Sequence, residues 1–454
     1  MILPLENTMR RYCASWLAIG LSAGVLSLSP AQAADVPNAA SPSVSAVTPK
    51  VEAVTAKVVA WRRDFHANPE LGNMERRTAG IVAAHLKKLG FDEVRTGIAH
   101  TGVVGILKGG RPGGVVALRA DMDALPILEA TGLPFASKVM QDYAGKKTPV
   151  MHACGHDAHT AMLMGAAEIL AGMRAEIPGT IMFIFQPAEE GVEGEIAGAL
   201  LMLQEGVFDK TKPSAIFGLH VEPGPVGQID VRPNGFLSGA TSINIKLTGR
   251  QTHGGRPWEG TDIINLTADV VKTLTTLSSR QVNVFETPSV VSVASIQAGN
   301  RVNIIPGTAE LLGTIRTFDQ ERMEFLKNMV RDATQRLAAN YGATAEVTFQ
   351  EVARVTANDP ALLDKVLPAL QAAAGPQGVK TNALFRGAAE DFSYYLAAVP
   401  GVYYILGSTP NFTTYAAAPT NHSDKFDIDE AVLPIGVKAH VLTALTYLET
   451  IAGK

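Results

Sequence analysis

The sequence predicts an α/β protein in which a mostly parallel central sheet is flanked by helices and a ferredoxin-like α+β domain is inserted. Apolar runs of strand length alternate with helix-length segments over residues 51–235 and again over 351–454, which is typical of a parallel sheet. Between them, residues 236–350 follow the order βαββαβ of a ferredoxin-like domain. Several predicted strands end in acidic or histidine side chains, which indicates a ligand site at the carboxyl edge of the sheet.

In the first part of the chain, apolar residues at helical spacing predict a helix around Val54–Phe65 and a second one over 76–89, which Gly90 ends. Apolar runs predict further strands at 103–107, 115–119, 180–185, 215–219 and 400–406. The glycine-rich stretch 109–114 predicts a hairpin-like turn between the first two of these strands.

The inserted and final segments are predicted in the same way. The ferredoxin-like order consists of strands at 242–247, 289–296, 308–317 and 345–349, with helices over about 262–279 and 320–340. The last segment, 427–451, is predicted to be mostly helical. Asp427 and Glu430 have the spacing of a capping box, and Pro434 indicates a break or a kink early in this helix.

The N-terminus has the pattern of a signal peptide over residues 1–33. Met9-Arg10-Arg11 is basic, 16–28 is apolar, and Ala31-Gln32-Ala33 fits a cleavage site, with Met1 or Met9 as the start. Residues 34–50 are rich in Ala, Pro, Ser and Val and predict a flexible leader. We therefore expect an exported protein, periplasmic or secreted, with no stable membrane span after cleavage; the alternative is an uncleaved anchor.

The 454 residues carry a formal net charge of −4 and no basic patch, which argues against a nucleic-acid partner. The chain has two cysteines, Cys13 and Cys154. Cleavage would remove Cys13, so the mature chain would have one thiol and no internal disulfide. A single cysteine placed between histidines in an exported protein favours metal ligation.

The stretch Met151–His159 is the strongest chemical signal in the sequence. It reads Met-His-Ala-Cys-Gly-His-Asp-Ala-His and opens a predicted helix. Cys154 and His156 are separated only by Gly155, which lets the chain bend so that both side chains reach one point. Thiolate and imidazole ligands suit a borderline divalent metal such as zinc.

The adjacent glutamates Glu189 and Glu190 close another predicted strand. Two neighbouring carboxylates are unfavourable together without a cation, and adjacent positions point in different directions. One can therefore bind metal while the other takes a proton from the attacking water. The alternative for the pair alone is a solvated acidic loop.

His220 follows Gly218-Leu219 at a strand end, and His422 lies in the polar turn Thr420–Asp424. Taken alone, either residue is better interpreted as a plain surface histidine.

These stretches together resemble the amidohydrolase branch of the zinc aminoacylase and glutamate carboxypeptidase family, which includes hippurate hydrolases, indole-acetyl-amino-acid hydrolases and N-acyl-amino-acid deacylases. The resemblance spans nearly the whole mature chain in family order, and the motif that contains Cys154 is specific to this branch. The matching motifs are Arg119-Ala-Asp-Met-Asp-Ala-Leu-Pro, Met151-His-Ala-Cys-Gly-His-Asp-Ala-His, Phe185-Gln-Pro-Ala-Glu-Glu, Gly218-Leu-His, Arg301-Val-Asn-Ile-Ile-Pro, Glu390-Asp-Phe-Ser and His422-Ser.

The resemblance implies two metal ions per subunit, held by Cys154, His156, Glu190, His220 and His422. It implies that Glu189 is the general base and acid and that Asp123 orients a metal ligand. Residues 236 to about 350 would form a lid that mediates dimerisation, so that the protein is a homodimer. In that lid, His253 would reach a substrate carbonyl, in cis or across the dimer, and Asn303 would help to hold the substrate.

The sequence departs from the family pattern in three places. Asp121-x-Asp123 stands where the peptidase branch has His-x-Asp, which favours an amidohydrolase over a carboxypeptidase. The stretch Gln141–Thr148 is longer than in relatives, and Thr252–Pro257 differs from their His-Ala-Ala motif. Both of these stretches would border the substrate, so specificity is not carried over.

We therefore expect an exported, metal-dependent amidohydrolase that cleaves N-acyl amino acids or related small amides, with zinc, manganese, cobalt and nickel as possible metals. The nearest alternative is a dipeptidase or carboxypeptidase of the same family. A non-catalytic periplasmic binding protein is the alternative from another class. Glu189 distinguishes the enzymes from the binding protein, because a binding protein has no need of a second, unligated carboxylate.

Overall fold

The computed structural model describes residues 44–196, 198–410, 414 and 417–452. The expected signal peptide, 1–33, and most of the expected leader lie outside the described residues. The prediction that the leader extends to residue 50 is wrong, because a helix begins at Val44. Val47 and Val51 are buried and extend the apolar stripe of Val54, so their helical spacing explains why this segment is a helix.

The helices of the described residues are α1 (Val44–Ala67), α2 (Arg76–Lys88), α3 (His156–Gly172), α4 (Gly198–Gln204), α5 (Ile263–Arg280), α6 (Gln320–Asn340), α7 (Pro360–Ala374), α8 (Phe392–Ala398) and α9 (Leu433–Ala452). The strands are β1 (Glu93–Ile98), β2 (Gly102–Lys108), β3 (Arg111–Asp121), β4 (Met140–Tyr143), β5 (Lys146–Pro149), β6 (Pro178–Gln186), β7 (Ala215–Glu222), β8 (Ile229–Asp230), β9 (Asn234–Leu237), β10 (Gly239–Thr248), β11 (Thr252–His253), β12 (Ser289–Ala298), β13 (Ile304–Ile305), β14 (Thr308–Thr317), β15 (Thr344–Ala353), β16 (Thr356–Asn358), β17 (Val379–Lys380) and β18 (Gly401–Gly407).

The central sheet has eight strands in the order β1-β2-β6-β3-β7-β18-β8-β17. Its middle is parallel, with β3 between β6 and β7 and with β18 beside β7. One apolar core packs α1, α2, α3, α7 and α9 on one face, and a second core packs α4 and α8 on the other. The predicted fold class, a mostly parallel sheet flanked by helices, is confirmed.

The predicted hairpin between β2 and β3 is wrong, because β6 lies between these two strands and pairs with both. The glycines of this connection allow two backbone segments to approach closely and do not form a tight turn. A Cβ at Gly109 would lie 2.1 Å from the carbonyl oxygen of Ile177, and one at Gly113 would lie 2.7 Å from the nitrogen of Gly179. The connection therefore crosses the start of β6 at backbone contact distance.

The inserted domain has an antiparallel four-stranded sheet in the order β12-β14-β10-β15, with α5 and α6 packed against it. This is the ferredoxin-like arrangement that the sequence predicts. The chain enters the domain through β9 and leaves it through β16, and these two short strands pair with each other. These paired strands connect the two parts, and we use the word hinge only as a name for this connection.

The segment Glu430–Ala452 is the one helical stretch of the described residues that is long and apolar enough to span a membrane, but 78% of its apolar window is buried in the protein. Its main helix, α9, packs in the same core as α1, α3 and α7. We therefore describe α9 as a core helix.

A buried ion-pair network joins α1 and the C-terminal segment to α3. Arg62 is 2% exposed, and its guanidinium donates to Asp157 and Asp427 at 3.0 Å each and lies 3.4 Å from Glu430. Asp157 directly follows His156. The predicted capping box is wrong, because Asp427 and Glu430 both bind Arg62. A neighbouring residue, Asp429, caps the following turn instead.

This network predicts a large stability difference between two neighbouring arginines. Arg62→Met should cost about 3–5 kcal/mol of unfolding free energy, because it removes the arginine from a buried ion-pair network and leaves the carboxylate of Asp157 to His66, whose Nδ1 lies 2.9 Å away. Arg63 contacts the same Glu430, but its side chain is 51% exposed, so Arg63→Met should cost less than about 1 kcal/mol. Urea denaturation of both variants measures the difference, and equal losses would contradict a stabilising role for the buried network.

Candidate metal centre and active site

The carboxyl ends of β3, β6 and β7 open into a cavity of about 520 Å³. Because these strands are parallel neighbours, the side chains that follow them meet at one edge of the sheet. The cavity is lined by Cys154, Glu189, Glu190, His220 and His422, and His156 lies fully buried beside it. We call Cys154, His156, Glu190, His220 and His422 the ligand cluster.

Gly155 gives Cys154 and His156 their common direction. Its φ is +97°, in the left-handed region that favours glycine, and it stands immediately before α3. A Cβ at this position would lie 2.3 Å from a methyl carbon of Val221, so no larger residue fits without a shift. The Sγ of Cys154 lies 3.4 Å from the Nε2 of His220.

The turn that carries the two glutamates is held by backbone hydrogen bonds. Ala188 has a φ of +49°, and its N–H donates to Glu75 at 2.8 Å. The N–H of Glu190 donates to Asp123 at 3.0 Å. This curvature directs the Glu190 carboxylate towards His422, whose Nε2 lies 2.9 Å from its Oε1. Glu189 faces His156, with 3.9 Å between its Oε2 and the Nε2 of that ring.

The ligand cluster consists of two overlapping donor groups. In one, the donor atoms of Cys154, His156 and His220 lie within 4.8 Å of one another, and in the other the same holds for Cys154, Glu190 and His422. Cys154 belongs to both, so one thiolate is shared between two neighbouring positions. Among the described residues, the buried Nε2 of His156 has no hydrogen-bond partner. The sulfur, nitrogen and oxygen donors thus fit divalent cations such as zinc.

Asp123 orients both halves of the cluster. The Nδ1 of His156 lies 2.9 Å from its backbone oxygen and 3.1 Å from its Oδ1, while its Oδ2 accepts the N–H of Glu190. The Nδ1 of His156 is therefore engaged, and its Nε2 is left for a cation. This is the orienting position that the resemblance implies for Asp123.

The charges of the site favour a cation. Burial, together with the carboxylates of Glu190 and Glu189, raises the pKa of the Cys154 thiol well above its usual range. Burial and the neighbouring carboxylates, Glu390 first among them, likewise raise the pKa of Glu189 well above its usual range. Burial lowers the pKa of His156, but Asp121 and Asp123 outweigh it and raise that pKa to about 10. The thiol and the carboxylates of this site therefore lack the positive charge that two divalent ions would supply.

The two other histidines of the motif are not in the ligand cluster. His159 uses both of its ring nitrogens, one towards Asp121 and one towards the backbone of Val221. Both nitrogens of His152 are buried and have no hydrogen-bond partner among the described residues, but this ring belongs to none of the donor groups. Burial lowers the pKa of both rings to about 4.

A buried network behind Glu189 carries functional residues to which sequence reasoning assigned no role. Arg119 is 1% exposed. It donates to Asp121 at 2.5 Å, to Glu390 at 3.0 Å and to Asp391 at 2.9 Å. The carboxylate oxygens of Glu390 and Asp391 lie within 4.8 Å of Glu189. Two of the matching motifs contain these residues, and a charged side chain inside an apolar strand was the available signal.

His253 and Asn303 lie together on the lid, away from the ligand cluster. Strand β11 ends in His253 and pairs with β13, and the N–H of Gly254 donates to the carbonyl of Asn303 at 2.8 Å. Both side chains are exposed, and neither lines the cavity that holds the ligand cluster. The side chain that the lid sheet does place there is that of Arg316, from β14.

Comparisons with known proteins agree with this geometry. The family model described as Peptidase family M20/M25/M40 matches residues 117–446. The chain is 39% identical over 389 residues to thermostable carboxypeptidase 2 of Saccharolobus solfataricus, which covers 85% of this chain and 94% of that protein. It is 35% identical to the N-acetylcysteine deacetylase of Bacillus subtilis, over 87% of this chain and 97% of that protein.

Among solved structures, the chain resembles the YXEP protein of Bacillus subtilis, described as a dinuclear metal binding peptidase from the M20 family. The TM-score is 0.72 at 34% identity, and the match covers 88% of this chain and all of that one. Since the family model spans most of the chain and these relatives align along nearly their whole length, the chain belongs to peptidase family M20/M25/M40 and is a metal-dependent hydrolase of amide bonds.

Proposed function

We propose that this hydrolase is exported, works as a homodimer and uses two divalent metal ions to remove the acyl group from N-acyl amino acids. The observation that carries the proposal is the pair of donor groups that share Cys154, next to the partly buried carboxylate of Glu189. The test is turnover of a panel of N-acyl amino acids by the metal-reconstituted protein.

The ligand cluster would hold both ions. When bound, the ions supply Lewis-acid polarisation of the amide carbonyl and lower the pKa of the attacking water. The thiolate of Cys154 favours zinc, while manganese, cobalt and nickel also suit the imidazole and carboxylate ligands. The protein's own contribution is to fix these donors, chiefly through Asp123 and the turn at Ala188.

Glu189 serves as general base and then as general acid. Its carboxylate takes a proton from the attacking water and returns it to the nitrogen of the leaving amine as the C–N bond breaks. Burial, together with the neighbouring carboxylates of Glu390, Glu190 and Asp391, raises the pKa of Glu189, which suits a group that must hold the proton between the two steps.

Arg316 supports a substrate with a free carboxylate. Its guanidinium lines the cavity and is half-buried, and it has no hydrogen-bond or ion-pair partner among the described residues. Burial lowers its pKa, so the site places a desolvated positive charge beside the ligand cluster. An N-acyl amino acid matches this arrangement, since its carboxylate would pair with Arg316 while its amide reaches Glu189.

The names of the relatives support two versions of this substrate. The Bacillus subtilis relative is named a deacetylase of an N-acetyl amino acid, and the Saccharolobus solfataricus relative is named a carboxypeptidase. Both activities act on an amide bond close to a free carboxylate. We favour the N-acyl amino acid, because the motif around Cys154 resembles the amidohydrolase branch, and we retain peptides as the second candidate.

The open edge of the lid sheet supports a homodimer. Strand β12 pairs only with β14, so one of its edges is unpaired among the described residues, and Val290 and Ile296 on it are exposed. An exposed apolar edge strand is a template for pairing with a second chain. In such a dimer His253 would act on the partner's substrate, which accounts for its distance from the ligand cluster within one chain.

Export is supported by the sequence alone, through the signal-peptide pattern of residues 1–33 and the single cysteine that would remain after cleavage.

The first prediction about the proposed function contrasts the two neighbouring glutamates. Glu189→Gln keeps the size and polarity of the side chain but cannot accept the proton, so metal content should stay at the wild-type level while kcat falls by about 10²- to 10⁴-fold. Glu190→Gln should lose metal as well as activity. Elemental analysis and kinetics of the two variants measure this. Metal loss in Glu189→Gln with full metal in Glu190→Gln would reverse the two roles.

A second prediction concerns Arg316. Arg316→Met should lower kcat/KM for N-acetyl amino acids by about 10- to 100-fold, since it removes a charge-assisted hydrogen bond to the substrate carboxylate. The same variant should change little for the corresponding amino acid amides, which lack that charge. Arg354→Met is the control, because Arg354 lines a different cavity at the hinge. Equal losses for acids and amides would contradict carboxylate recognition.

A third prediction tests whether His253 acts across the dimer. His253→Ala alone should lower kcat by about 100-fold, the usual effect of losing a donor to the developing oxyanion. Co-expressed Glu189→Gln and His253→Ala chains form mixed dimers in which one site has both groups. The mixture should recover roughly a quarter of wild-type activity if pairing is random and the dimer is symmetric. No recovery above the parent variants would place the action of His253 in its own chain.

A further inference from the structure

The metal ligand His220 is oriented by the backbone of the residue that follows it. Its Nδ1 lies 2.8 Å from the carbonyl oxygen of Val221, so this nitrogen is the donor and Nε2 keeps its lone pair. Nε2 lies 3.4 Å from the Sγ of Cys154, inside the ligand cluster. The direction of the lone pair that a metal would use therefore depends on where Val221 holds its carbonyl.

The backbone of Val221 is fixed on both sides by side chains, those of the buried His159 and the partly buried Asn421. Its N–H donates to the Nε2 of His159 at 2.8 Å. Its carbonyl accepts, in addition to His220, the side-chain amide of Asn421 at 3.1 Å, and the same amide donates to the carbonyl of Cys154 at 3.0 Å. We call His159, Asn421 and Asp121 the Val221 clamp.

The chemistry of these bonds sets the tautomer of His159. A backbone N–H can only donate, so the Nε2 of His159 must be the acceptor and the proton must be on Nδ1. That proton is donated to the carboxylate of Asp121 at 2.6 Å. Asp121 is in turn bound by Arg119, and its backbone carbonyl accepts the hydroxyl of Thr160 at 2.7 Å. Each bond from Asp121 to the ring of His220 is thereby defined in direction.

We propose that the Val221 clamp is a positioning device for His220, and that it sets the affinity of the metal position to which His220 belongs. The inference rests on the proposed metal centre. His159 is a positioning residue, because it reaches the metal ligand only through the backbone of Val221. Outer hydrogen bonds to metal ligands are commonly worth 10- to 100-fold in metal affinity.

The other buried histidine of the same motif serves as the internal comparison. His152 is 1% exposed and His159 is fully buried, so both substitutions disturb the same kind of surroundings. Only His159 is hydrogen-bonded to Val221. A purely structural role for these histidines would give similar effects at both positions, whereas a positioning role would not.

The experiment uses a pair of substitutions that differ by one methylene. His159→Gln can place its amide oxygen where Nε2 lies and still accept the N–H of Val221. His159→Asn is too short to do so, although its amide still reaches Asp121. Metal-free full-length protein is titrated with Co²⁺ against a chromophoric chelator, and the visible spectrum of bound Co²⁺ reports the ligand geometry.

We expect wild type to show two binding constants. In His159→Asn one of them should weaken by about 10- to 100-fold with a changed Co²⁺ spectrum, while His159→Gln and the control His152→Leu should stay close to wild type. Asn421→Ala removes the other side of the clamp and should weaken the same position, which keeps the test available if His159→Asn does not fold. Wild-type constants in Asn421→Ala or in a folded His159→Asn would overturn the inference. A wild-type protein that takes up no Co²⁺ would instead overturn the proposed metal centre itself, and this inference with it.

Discussion

The guanidinium of Arg119 is buried beneath the ends of the parallel strands and contacts three carboxylates there. Asp121 lies on the same strand, while Glu390 and Asp391 come from the loop before α8, 271 and 272 residues further along the chain. Buried carboxylates of this kind are strongly unfavourable without a partner, so their presence depends on the cation among them. The carboxamide of Gln186 at the end of β6 accepts a further bond from Arg119 at 2.8 Å, which ties the neighbouring strand to the same group.

The carboxylates bound by Arg119 contact two different parts of the active site. On one side, Asp121 binds His159, which holds the backbone of Val221 and through it the ring of His220. On the other side, Glu390 and Asp391 place negative charge next to Glu189. A single buried network thus orients the proposed metal ligand His220 and adds to the effect of burial on the proton affinity of the proposed general base, Glu189. Its position below the strand ends explains why the functional residues of a chain this long converge on one small cavity.

The sequence predicts the parts of this structure that local patterns determine. The lid strand β14 and the helix α6 have the bounds expected from their periodicity. Part of the ligand cluster also follows from local signals, because Cys154 and His156 are nearly adjacent and Glu190 belongs to a contiguous glutamate pair. His220 and His422 lack such a local signal and are implied only by the family resemblance. The order of strands does not follow, since the insertion of β6 between β2 and β3 depends on pairing that no local pattern contains. The pairing of Arg119 with Glu390 and Asp391 is not predictable for the same reason, although an arginine inside an apolar strand is itself a local signal.

The assignment of hydrogen bonds around the ligand cluster explains which nitrogens remain for a cation. Both ring nitrogens of His159 are used, and the Nδ1 atoms of His156 and His220 are engaged by Asp123 and by Val221. The Nε2 atoms of His156 and His220 are left, and both belong to the donor group that contains Cys154. In this site the nitrogens that would bind metal are distinct from the nitrogens that are already held by backbone or carboxylate groups. Such a site needs little rearrangement when it binds metal. Because each used nitrogen is bound to backbone or to a buried carboxylate, the fold itself orients the rings of His156 and His220.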